Sequence, residues 1–111
     1  MLQFSIALVL WFGSPEDALA LATARYQSCI VDFAASAIGV ASADLEAGSV
    51  PMPIVRNAVR HCGEERGRLT RVVGEQVLAD EQVPSASKQT EAQNRFGMIE
   101  LPIILALARL Q

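Results

Sequence analysis

The sequence predicts an all-α protein: an antiparallel helical hairpin clamped by a Cys29–Cys62 disulfide, followed by a third helix kinked near Pro102. Three observations point there. Apolar residues make up 51% of the 111-residue chain and aromatics only 5%, and much of the apolar share is alanine and leucine, which lose little conformational freedom in a helix. Strand-favouring runs of valine, isoleucine, threonine and aromatics are short and scattered. Two segments carry apolar residues at spacings of three and four, and each has one cysteine on its apolar stripe. The length leaves room for one domain.

The first element is a nine-residue apolar run, FSIALVLWF at 4–12, broken only by Ser5. Gly13, Ser14 and Pro15 follow it, and then Ala18-Leu19-Ala20. Apolar core, helix breaker and small residues stand in the order of a secretory signal, so residues 1–20 are expected to be cleaved after Ala20, with Ala24 as the second option. Spanning a bilayer needs roughly 20 apolar residues, which this run does not supply. Two features pull the other way. Met1-Leu2-Gln3 has no basic residue, and Ser14-Pro15-Glu16-Asp17 has the chemistry of a helix start. If residues 1–20 are retained, the chain reads instead as a cytoplasmic helical adaptor. The expected location is otherwise the periplasm or the exterior, with residues 21–111 as a single small helical domain.

The hairpin comes next. Leu21, Ala22, Tyr26, Cys29, Ile30, Phe33, Ala37, Ile38 and Ala41 mark one face of a first helix. Turn residues occupy 42–53, and a second helix starts near Pro53 with a stripe of Ile54/Val55, Ala58/Val59, Cys62, Leu69, Val72/Val73 and Gln76/Val77. Antiparallel packing of the two stripes brings each cysteine where it can meet the other. An even pair of cysteines in an exported chain implies a disulfide. Closing a loop of about 34 residues stabilises by about 3.8 kcal/mol in the chain-entropy model.

After a polar linker at 82–90, a third helix is expected from Thr90 or Glu91, capped by Thr90 or Ser87. Pro102 removes a donor and crowds the preceding turn, so it should kink or restart that helix. Leu101, Ile103, Ile104, Leu105, Leu107 and Leu110 make the end of the chain apolar on all sides. The plainer reading is that this segment packs across the hairpin as a third helix and completes the core. The sharper reading is that these six residues form an interaction surface for a protein partner or for a second copy. Membrane-surface contact is not favoured, because Arg109 is the only base near them.

Charge and motifs exclude more than they indicate. Twelve acids against nine bases give −3, and loss of Glu16 and Asp17 with the signal leaves −1, so nothing points to nucleic acid. Arg56, Arg60, Arg66, Arg68 and Arg71 make the second helix the most basic stretch, but Glu64 before Arg68 and Glu75 after Arg71 lace it with ion pairs. No catalytic residue, metal ligand set or cofactor motif stands out. His61 adjoins Cys62, yet neighbouring helical residues point about 100° apart and rarely share an ion. A metal- or thiol-dependent activity at Cys29, Cys62 and His61 is therefore the alternative to a non-enzymatic interaction protein of the envelope.

Tyr26-x-x-Cys29-Ile30 and Ala58-Val59-x-x-Cys62-x-x-Glu65, about thirty residues on, resemble small exported helical proteins of unknown function in alphaproteobacteria. The resemblance covers about residues 26–65. It implies a signal peptide and a helical hairpin with paired cysteines, and carries over no catalytic residue.

Overall fold

A computed structural model describes residues 15–110. The apolar run at 4–12, and the core of the expected signal with it, lies outside the described residues. The fold is all-helical and holds the Cys29–Cys62 disulfide, and the described residues form four α-helices where three were expected: α1 (Pro15–Ile38), α2 (Met52–His61), α3 (Gly63–Ala79) and α4 (Lys88–Leu107). Short 3₁₀ turns at Ser42–Asp44 and Ser85–Ser87 precede α2 and α4.

Helix α1 begins at Pro15, with Glu16 and Asp17 in its first turn beside the positive end of the helix. It continues through Ala20, the residue after which cleavage is expected. Its buried ridge is Ala22, Tyr26, Ile30 and Ala34, a row spaced by four that seats in the groove of its neighbours. Leu21 and Ile38, expected on this face, lie outside the row and are exposed. Gly39 ends the helix at φ +84°, while Gly39 N–H and Val40 N–H both reach Ala35 O at 2.9 Å. That left-handed closure favours glycine. No atom lies within 4 Å of a Cβ placed there, so Gly39→Ala is expected to cost about 1 kcal/mol from the backbone alone. A urea midpoint compared with that of the parent checks it.

The second expected helix divides at Cys62. There ψ opens to 29°, well away from the helical value, and α3 restarts at Gly63. Cys62 is fully buried and its Cα lies 6.0 Å from that of Cys29, so the bend sits where the chain is tied to α1. The division lets both α2 and α3 pack on α1. The stripe itself falls as expected, with Val55, Ala58, Cys62, Leu69, Val73 and Val77 buried.

Helix α4 starts at Lys88, directly after Ser87, and runs through Pro102 to Leu107 without a restart. Pro102 deprives the Met98 carbonyl of its helical donor. Both residues are on the exposed side, where water can serve that carbonyl. The return from α3 to α4 is fixed by charge. Arg95 pairs with Asp80 at 2.9 Å and Glu91 at 2.7 Å, and Lys88 Nζ donates to the carbonyls of Val77 and Asp80 at the end of α3. The end of α4 is clipped to the α1–α2 loop by a parallel bridge between Val50 and Ala108. Gly48 N–H and Val50 N–H donate to the carbonyls of Ala106 and Leu107, and Arg109 N–H donates to Val50 O.

Candidate functional site

Three places on the molecule combine chemistry with access, and each is assembled from different helices. The first is a polar knot where α1, α3 and α4 converge. Tyr26 is fully buried, and its hydroxyl donates to Glu100 Oε2. Arg66 holds the same carboxylate with both ends of its fork, Nε to Oε2 at 2.6 Å and Nη2 to Oε1 at 3.0 Å. Its guanidinium also lies 4.7 Å from the centre of the Phe96 ring. Burial pushes the Glu100 carboxyl up, but the hydrogen bonds from Arg66 and Tyr26 and the Arg66 charge outweigh it and hold it below the usual range. Burial pushes the Tyr26 phenol up, and the bond to Glu100 adds to it. These groups satisfy one another, so their chemistry is structural.

Spacing alone puts Tyr26 on the apolar stripe and Arg66 on an ion-paired outer face, and gives Glu100 no role. The available signal was Glu100 itself, the only charged residue between Phe96 and Ala108. A lone carboxylate inside an apolar helix needs a partner.

The second place is an open groove beside the disulfide, lined by Arg25, Ser28, Asp32, Phe33, His61 and Arg68. His61 is exposed and rests on Phe33, with ring centroids 4.8 Å apart. The ligand-type atoms that converge here are Cys29 Sγ, Cys62 Sγ and a Glu65 carboxylate oxygen, all within 4.8 Å of one another. His61 is outside that cluster. Both sulfurs are spent in the bond to each other, and metal binding or nucleophilic chemistry would need them as thiolates. Arg68 approaches Glu64 at 3.9 Å, the ion pair expected one turn apart. At the surface such a pair contributes little.

The third place is the outer side of α4 and the adjoining α2. Of the six residues expected as one surface, the helix sends two inward. Ile103 and Leu107 are each 8% exposed and join Phe96 in the core, being one turn apart on its inner face. They are not surface residues. Ile104 is half-buried, while Leu101 (55%) and Leu105 (46%) are exposed, as is Leu110 beyond the helix. Met98, not foreseen, is 75% exposed and precedes Leu101 by three residues, so Met98, Leu101 and Leu105 form a stripe on one face. Beside it a depression between α2 and α4 has Met52, Val55, Val59 and Ile104 as its floor, with Arg56 and Arg60 at its rim.

This division predicts a contrast within one helix. Leu101→Ala changes stability by less than about 0.5 kcal/mol, whereas Ile103→Ala costs about 2–4 kcal/mol by opening a cavity. Thermal melts of the two variants check it.

Among the described residues no helix is long and apolar enough to cross a membrane. Comparison with known proteins finds no match to a protein family, to a curated protein or to a solved structure.

Proposed function

We propose that this chain is an exported, non-enzymatic interaction protein of the envelope, in which a disulfide-clamped helical hairpin holds α4 so that its outer face meets a protein partner. The observation that carries the reading is the stripe of Met98, Leu101 and Leu105 on a helix whose opposite face is locked into the core. Large apolar side chains placed together on a well-anchored surface mark interaction sites. Helix α4 is rigidly presented, held by the Glu100 knot in its middle and the Val50–Ala108 bridge at its end.

Export is supported by the disulfide, because such bonds persist in oxidising compartments. Cleavage after Ala20 would leave the buried ridge of α1 whole. Of the side chains at 16–20 only Leu19 packs against the hydrophobic core, and the buried ridge starts at Ala22. The resemblance of residues 26–65 to small exported alphaproteobacterial proteins agrees with this reading. Thiol or metal chemistry at Cys29, Cys62 and His61 is the weaker alternative, since it requires the bond to be opened first.

The test is the native size of the protein extracted gently from the cells that make it. The parent chain is expected in a complex larger than a monomer, and Leu101→Ser with Leu105→Ser shifts it to monomer size. If both run as monomers, the docking role is lost.

A further inference from the structure

We propose that the trough between α2 and α4 receives an acidic amphipathic helix of a partner protein, with two of its carboxylates one turn apart on Arg56 and Arg60. This rests on the reading of the chain as an interaction protein and names the chemistry of the partner.

The argument begins with charge. Helix α2, Met52–His61, contains Arg56 and Arg60 and no acid. Among the described residues neither arginine makes an ion pair, and Arg60 only donates to the neutral Asn57 side chain. The third arginine of the rim, Arg66, is already held by Glu100. Two uncompensated cations thus stand four residues apart, with Cβ atoms about 5–6 Å from each other. That is also the spacing of two carboxylates one turn apart on an approaching helix.

The floor supplies the second half of the match. Met52 and Val59 of α2 and Ile104 of α4 line the same depression as the arginines. The depression adjoins a second one that shares Ile104 and Glu100 with it and continues past Leu101 to Met98 and Gly97. Gly97 contributes no side chain, and a Cβ built there has no atom within 4 Å, so the trough stays open at that end. An apolar floor with cations along one edge is the complement of a helix with an apolar stripe bordered by acids.

Other occupants fit less well. Two arginines give an anionic leaflet little to attract, on a chain whose formal charge is −3. The apolar residues α2 would need for insertion, Val55 and Ala58, are buried in the core. A second copy lacks the required group, because no two acids in the chain stand three or four residues apart.

The experiment places the photo-crosslinker p-benzoylphenylalanine at Leu101 in the full chain, produced in its own host, with Leu78 on the exposed face of α3 as the control position. The expected adduct at Leu101 contains a partner peptide with apolar residues at helical spacing and two acids three or four apart. Arg56→Glu with Arg60→Glu lowers that adduct at least tenfold while the melting temperature stays within a few degrees. A partner peptide without the acid pair, an adduct indifferent to charge reversal, or an adduct to a second copy or a lipid overturns the proposal and leaves an interacting surface. No adduct above the Leu78 level overturns both the proposal and the reading beneath it.

Discussion

Replacing Cys29 and Cys62 together by alanine is expected to lower the stability of this protein by about 3.8 kcal/mol. The bond joins positions 33 apart in sequence, so its loss frees a long loop in the unfolded chain. It also ties the middle of α1 to the break between α2 and α3, the point from which both helices are set against α1. For a domain of this size the change corresponds to a fall in melting temperature of roughly 15–30 °C. Urea unfolding separates this mechanism from a simple packing defect. The variant should show a steeper dependence on urea, because the unfolded chain without its cross-link exposes more surface. An unchanged midpoint would mean that the bond adds nothing to stability.

The second large effect belongs to Glu100. Glu100→Ala removes the acceptor of the fully buried Tyr26 hydroxyl and the counter-charge of Arg66 at once. An unsatisfied buried hydroxyl costs about 1–3 kcal/mol. The Arg66 side chain keeps access to solvent, which softens the loss of the ion pair, so the whole is about 2–4 kcal/mol. Tyr26→Phe, which removes one bond and leaves the pair, should cost about 1 kcal/mol. The pH dependence has a defined sign. The folded carboxyl titrates below its unfolded counterpart, near pH 4.3, so the contribution of Glu100 is fully present above that value. It is lost as the pH falls through the lowered folded value. Glu100→Gln should flatten this acid limb. At the other extreme the raised Tyr26 phenol contributes stability that is lost as the pH rises above about 10, where the unfolded phenol ionises. Chemical denaturation of parent and variants between pH 3 and 7 reads the acid limb directly, taking roughly one point per half unit.

The contrast between these two effects shows what a sequence makes legible here. Cys29 and Cys62 could be paired because each sits on the apolar stripe of a helix, and stripe phase is a local property of spacing. The all-helical class followed from alanine and leucine content in the same local way. Glu100, Arg66 and Tyr26 come from three helices, and their meeting depends on how those helices are set against one another. Helix α4 shows the limit most clearly. Its final turns are apolar all round, so spacing did not distinguish Ile103 and Leu107, which face the core, from Leu101 and Leu105, which do not. The Val50–Ala108 bridge was hidden for a related reason, since a single residue pair carries no alternating pattern. The division at Cys62 has Gly63 as a local marker, and it falls at the residue tied to α1.

The groove beside the disulfide separates chemistry that is present from chemistry that would have to be created. Cys29, Cys62 and Glu65 converge, yet the sulfurs are joined and His61 rests on Phe33 outside the cluster. The exposed trough between α2 and α4 needs no such conversion. Its two arginines and apolar floor are what the proposed partner would meet.

Export and the cross-link are read together in the intact mass of the protein made by its own host, before and after reduction and alkylation. The expected product is Leu21–Gln111, two hydrogens lighter than the reduced form, taking up alkylating reagent only after reduction. A full-length chain with two freely alkylated thiols would contradict it. Residues 1–20 would then belong to the working protein, and the interaction surface on α4 would have to be sought inside the cell.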